Sequence, residues 1–181
     1  ITINTNQISQ FSKEQIINQA FKFHSKGNIE EAAKYYQLCI DQGFNDYRVF
    51  TNFGVILKDL NNLKGAETSH RKAIEITPDF AEAHYNLGNV LKDLGNLKEA
   101  ELSHRKAIKF KPDFAEAHSN LGNILRDLGN LQEAELSHRK AIEFKPDFAE
   151  AHSNLGSILG DLGKLKELIL LSKSTLESNS I

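Results

Sequence analysis

The sequence predicts an all-α protein, a solenoid of five stacked helix-turn-helix repeats, and three observations carry that prediction. Proline recurs at Pro78, Pro112 and Pro146, always 34 residues apart. A fixed period of that length marks an array of small units and not a single central core. Residues 81–114 and 115–148 are identical except at Tyr85/Ser119, Val90/Ile124, Lys92/Arg126, Lys98/Gln132 and Lys109/Glu143, so they must adopt the same local structure. Small side chains also keep fixed slots: the eighth residue of each unit is Ala20, Gly54, Gly88, Gly122 or Gly156, the twentieth is Ala32, Ala66, Ala100 or Ala134 before becoming Leu168, and the twenty-seventh is Cys39, Ala73, Ala107 or Ala141, then Thr175. Slots of this kind let two helices approach closely while larger apolar residues fill the contact.

Taken in order, the register gives units at 13–46, 47–80, 81–114, 115–148 and 149–181, with residues 1–12 outside it. Ile1 to Phe11 is rich in Asn, Thr, Gln and Ser, lacks a helical period and is expected to be a flexible tail. Ser12 followed by Gln15 reads as a capping box that opens the first helix. The same signal is expected for the first helices of later units from Asp79, Asp113 and Asp147, each three residues before Glu82, Glu116 or Glu150. Asn28…Glu31, Asn96…Glu99 and Asn130…Glu133 would cap the second helices, and the short turns Gly95-Asn96 and Gly129-Asn130 make the paired helices antiparallel. Each unit then exposes an apolar face that only its neighbour covers, so stability sums local and nearest-neighbour terms. In the last unit Ile169-Leu170-Leu171 stands where Glu-Leu-Ser occurs at 135–137, and a terminal repeat this apolar is expected to be covered by downstream sequence or by a second copy of the chain.

Composition narrows the function. A net charge of −2 with 25% charged residues is that of a chain expected to be soluble, and it offers no basic surplus of the kind that displaces counterions from nucleic acid. The longest apolar run, Leu168 to Leu171, falls far short of the roughly 20 residues a membrane helix needs, so neither nucleic acid nor membrane is an expected partner. Cys39 is the only cysteine and stands where other units carry alanine, which reads as a small core residue. The chain starts at Ile1 and has no methionine, which suggests a piece of a longer protein; a cytoplasmic location is the expectation.

The pattern Asn-Leu-Gly, Gly-Asn-Leu, Glu-Ala, Ala-Ile and Pro-Asp in the central units resembles the tetratricopeptide repeat family, over residues 13–181. The resemblance implies a right-handed superhelix that binds protein or peptide ligands in an inner groove. The chain departs from the family pattern at the fourth and twenty-fourth slots, where it carries His84, His118 and His152, and His70, His104 and His138. These occupy packing slots without cysteine or convergent carboxylates at ligand spacing, so packing is the reading and no metal or cofactor is expected.

At the sixth slot every unit has asparagine: Asn18, Asn52, Asn86, Asn120 and Asn154. This is similar to the asparagine ladder in the repeat domains of O-GlcNAc transferases, which implies that these carboxamides line the groove. A carboxamide offers both donors and an acceptor, so it can hold the N–H and C=O of a peptide unit without reading its side chain. A hydrogen bond to a neighbouring helix is the alternative use. The second, fifth and ninth slots would face the same groove, with Tyr85, Asn89 and Asn123 as further ligand contacts beside Glu82, Glu116, Glu150, Ser119, Ser153 and Ser157. Arg48 is the only basic residue among these slots, which argues against a carboxylate clamp. No nucleophile–base–orienter set and no phosphate loop stand out, so a non-enzymatic protein- or peptide-binding scaffold is expected. The alternatives are the substrate-docking region of a larger enzyme, such as a glycosyltransferase, and a self-assembling array.

Overall fold

The computed structural model describes residues 12–164 together with Glu167, Ile169 and Leu170. These hold nine α-helices and no strand: α1 (Lys13–Ser25), α2 (Ile29–Asp41), α3 (Tyr47–Asp59), α4 (Leu63–Ile76), α5 (Ala81–Asp93), α6 (Leu97–Phe110), α7 (Ala115–Asp127), α8 (Leu131–Phe144) and α9 (Ala149–Asp161). First helices start 34 residues apart, at Lys13, Tyr47, Ala81, Ala115 and Ala149, and second helices keep the same interval from Ile29. The chain separates into two compact units, one ending at Asp79 and one beginning at Phe80. In the first unit α1 packs on α2, α2 on α3 and α3 on α4; in the second each of α5 to α9 packs on its sequence neighbour, and the first helices α5, α7 and α9 also touch in turn.

The turn between paired helices is built the same way each time. Gly27, Gly95, Gly129 and Gly163 adopt positive φ just past the first helix, and Asn61 does so at φ 60° in the second repeat. After α5 the Gly95 N–H reaches Lys92 O at 2.9 Å and the Asn96 N–H reaches Leu91 O at 2.8 Å. This double bond pattern closes a helix end through one left-handed residue, which is why glycine or asparagine is required there.

Helix starts follow two rules. Ser12 and Gln15 form the expected capping box, and the side chains of Asn28 and Asn62 accept from Glu31 N and Gly65 N. Asn96 and Asn130 occupy the cap position of α6 and α8 but make no side-chain cap bond, contrary to expectation. Asp79, Asp113 and Asp147 are not caps: the cap residues are Phe80, Phe114 and Phe148, again with no side-chain cap bond. The reason lies in the tight turn at Lys-Pro-Asp-Phe, where Phe114 N–H bonds Lys111 O at 3.2 Å and Phe148 N–H bonds Lys145 O at 3.0 Å. That turn uses the proline and aspartate as its central residues and starts the helix one position later. The glutamates therefore stand at the second helical position, where Glu82 pairs with Lys111 at 3.5 Å and Glu116 with Lys145 at 3.1 Å.

The core is made of the small slots and what they admit. Ala32, Ala66, Ala100 and Ala134, and Cys39, Ala73, Ala107 and Ala141, are all fully buried. Burial pushes the Cys39 thiol up to about 11, which keeps it a protonated, inert core group. His70, His104 and His138 are also fully buried, each seated against the glycine of its own repeat: a Cβ on Gly54, Gly88 or Gly122 would come within 2.6–2.7 Å of the ring. Glycine is needed in the eighth slot because the ring already fills the space of a methyl group. The other histidines tie the array to its turns, with His118 Nε2 donating to Pro112 O at 2.9 Å and His152 Nε2 donating to Pro146 O at 2.8 Å. Among the described residues no cluster of histidine, cysteine and carboxylates could hold a metal ion, and no helix is long and apolar enough to cross a membrane.

Residues 1–11, expected as a tail, and the Leu168–Leu171 helix of the last repeat lie outside the described residues apart from Ile169 and Leu170, whose side chains are exposed.

Candidate functional site

The sixth-slot asparagines fall on the first helices, α1, α3, α5, α7 and α9, and their local chemistry is not uniform. Asn120 Nδ2 on α7 donates to Asn89 Oδ1 on α5 at 2.8 Å and to the Tyr85 hydroxyl at 3.3 Å. One repeat later Asn154 Nδ2 on α9 donates to Asn123 Oδ1 on α7 at 2.9 Å. The sixth and ninth slots of successive first helices thus form a carboxamide relay along the second unit. Within it the Oδ1 atoms of Asn120 and Asn154 and the Nδ2 atoms of Asn89 and Asn123 make no other hydrogen bond among the described residues, so each pair presents one acceptor and one donor group. Asn123 is buried beneath Asn154, while Asn89, Asn120 and Asn154 are half-buried.

The remaining asparagines behave differently. Asn86 is half-buried and makes no side-chain hydrogen bond among the described residues. Asn52 turns its Nδ2 back onto Arg48 O of its own helix at 2.8 Å. Asn18 is exposed on α1. The alternative use of these side chains, a structural bond between helices, is therefore what Asn120 and Asn154 make with one half of their carboxamide.

Tyr85 fills the space beside this relay. Its ring lies 4.8 Å from Phe114 and 5.6 Å edge-on from His104, and Lys111 Nζ sits 4.7 Å over the Phe114 ring. In the next repeat Lys145 stands 4.8 Å over Phe148, but Ser119 replaces Tyr85 and its buried hydroxyl has no partner. The Glu116 carboxyl is held below the usual carboxylate range by its own backbone N–H first and then by Lys145.

In the first unit the corresponding surface opens into a cleft of about 510 Å³ lined by Phe21, His24, Ser25, Tyr36, Arg48 and Asn52. Phe21 stands in the ninth slot, where the third and fourth repeats have asparagine, and Tyr36 stands in the slot that histidine takes in the second to fourth repeats. His24 Nδ1 hydrogen-bonds the Tyr36 hydroxyl at 3.2 Å, and the Arg48 guanidinium lies 5.5 Å from the Phe21 ring. Arg48 is held by Asp46 through Nε at 3.1 Å and Nη2 at 2.8 Å, and its hydrogen bonds keep the Asp46 carboxyl below the usual range. With Glu14 a further 3.5 Å from Nη2, the arginine charge is already balanced. Of the lining residues, Arg48, Asn52 and Phe21 lay in slots expected from the sequence to face the groove, although Phe21 itself was not singled out; His24, Ser25 and Tyr36 did not, and the only sequence signal for Tyr36 is that the first repeat puts an aromatic residue where later ones have histidine.

Models of the tetratricopeptide repeat match the chain at residues 54–95 and 122–163, at 81–114, and at 105–135. No curated protein matches in sequence. Among solved structures, a crystal structure of MamA superposes with a TM-score of 0.82 at 24% identity, covering 88% of this chain and 94% of that one. MamA from Desulfovibrio magneticus RS-1 gives 0.81 at 22% identity, over 91% of this chain and 93% of that one. YrrB, described as a TPR protein with an unusual peptide-binding site, gives 0.79 at 21% identity, over 96% and 90%. At these identities the likeness is one of fold.

Proposed function

Because residues 54–163 are tetratricopeptide repeats, we propose that the chain is a non-catalytic scaffold that binds a protein or peptide in extended form along its first helices. The observation that carries this reading is the carboxamide relay: Asn89 with Asn120, and Asn123 with Asn154, each leave one acceptor and one donor group after bonding one another. A peptide unit needs one of each, and a pair of carboxamides held by its neighbour is pre-oriented to supply them. Asn86, whose side chain makes no hydrogen bond among the described residues, adds a further carboxamide in the repeat before Asn120, while Asn52 lines the aromatic cleft of the first unit and Asn18 stands on α1. Tyr85 borders the relay and adds an amphipathic surface of the kind that contributes large contact area at small entropy cost. Peptide binding is also what is described for the fold relative YrrB.

The test uses a peptide selected by display against the intact chain. Replacing Asn86, Asn120 and Asn154 together by Ala should weaken its binding at least about tenfold, since each lost main-chain hydrogen bond is worth on the order of 1 kcal/mol. Equal affinity of variant and wild type would remove the reading.

A further inference from the structure

We propose that the cleft between the second helices α6 and α8 is a separate docking site for an acidic segment of a partner protein that carries one branched apolar side chain. The cleft measures about 370 Å³. Its floor is Ile108 and Leu121, and its rim is Arg105, Lys109, Leu136 and Lys140, with no carboxylate among the lining residues. Leu136 is 62% exposed, an apolar side chain left at the mouth of a concavity large enough for one or two residues of an incoming chain.

Charge selects the occupant. Arg105 is satisfied by Glu101 at 3.0 Å and Glu133 at 2.6 Å, and Lys140 reaches Glu143 at 2.7 Å. Among the described residues Lys109 has no carboxylate partner, and it stands 5.8 Å from the Phe110 ring. It is also one of the five positions at which the two near-identical repeats differ, with Glu143 in the equivalent place. The uncompensated cation at this cleft therefore exists in one copy of the repeat and not the other. The exposed Lys140–Glu143 pair is of a kind worth at most ~1 kcal/mol, so Lys140 is free to turn to an incoming carboxylate at little cost. A neutral apolar ligand would leave Lys109 unanswered, and a basic one would be repelled by it, since Arg105 and Lys140 are the two rim charges already paired.

The site is independent of the carboxamide relay. His118 and Leu121 of α7 line the cleft, whereas Asn120 and Asn123 of the same helix belong to the relay. At about 100° per residue the two pairs lie on opposite faces of α7, roughly 160° apart.

The experiment is fluorescence anisotropy on the intact chain with a labelled synthetic peptide in which a single leucine is flanked by glutamates. Binding is expected, weakening with salt, and Lys109→Glu should reduce it about fivefold, the scale of one exposed charge pair. Leu136→Ser should reduce it as well, and because Leu136 is exposed that variant keeps its fold; Asn86→Ala should leave it unchanged. The proposal is overturned if a version with lysines in place of the glutamates, or one without the leucine, binds equally well, or if neither variant has an effect. It is also overturned if sedimentation shows the chain to self-associate in a way that Lys109→Glu abolishes, since the occupant would then be a second copy.

Discussion

His104 Nε2 would stand 2.7 Å from a Cβ placed on Gly88, closer than real side chains approach, and the ring is fully buried. Gly88→Ala should therefore destabilise the chain by roughly 1–3 kcal/mol, the usual range for an overfilled core, even though alanine is the better helix former. Adding His104→Ala to Gly88→Ala should remove most of the clash, so chemical denaturation of the two single variants and the double variant should show strong non-additivity. Additive losses would mean that the ring and the glycine do not press on one another. The asparagines divide at the same scale. Asn86→Ala removes no hydrogen bond among the described residues and should leave the melting temperature unchanged, whereas Asn120→Ala strips a donor from Asn89 and Tyr85 and should cost about 1 kcal/mol. Equal thermal effects at the two positions would contradict the hydrogen-bond pattern described for the relay.

At the scale of the helices, three second-helix histidines set a pH dependence. Burial lowers His70, His104 and His138 from 6.5 to about 4, with Lys92 adding to the effect on His104 and Arg126 on His138. Their ring nitrogens have no hydrogen-bond partner among the described residues, so a proton taken up in the folded state would be a buried charge without compensation. The unfolded chain binds protons near pH 6.5 and the folded chain only near 4, so stability is fully present above 6.5 and is lost as pH falls between those values. By linkage each ring costs about 2 kcal/mol at pH 5. Imidazole NMR should show these three rings still neutral at pH 5 in the folded chain; titration near 6.5 would contradict the packing. The helix starts also show where sequence reading stops. The 34-residue interval, the Ser12–Gln15 box and the glycine-led turns are local signals and were legible. The caps expected at Asp79, Asp113 and Asp147 were not, because the aspartate of a Pro-Asp-Phe turn and that of a capping box are the same letter, and only the fold, with the turn's hydrogen bond at Phe114 and Phe148, shows that the helix begins one residue later.

At the scale of the whole molecule, the repeat array was readable because the first four units repeat all three small slots, while the site was readable only in part. That asparagine recurs at the sixth slot is visible in the sequence; that Asn120 meets Asn89 and Asn154 meets Asn123 depends on the offset of successive first helices, which no single repeat encodes. The aromatic cleft of the first unit was missed for a related reason. Phe21 and Tyr36 carry no joint signal in the sequence, and only the fold brings them to Arg48 and Asn52. The two compact units thus carry chemically different surfaces, one aromatic with a balanced arginine, the other a chain of carboxamides. The central claim is that those carboxamides hold a peptide main chain, and side-chain amide NMR tests it most directly. On titration with a display-selected peptide, the NH₂ signals of Asn86, Asn89, Asn120 and Asn154 should shift together and saturably. A peptide that binds while those four signals stay in place would contradict the account.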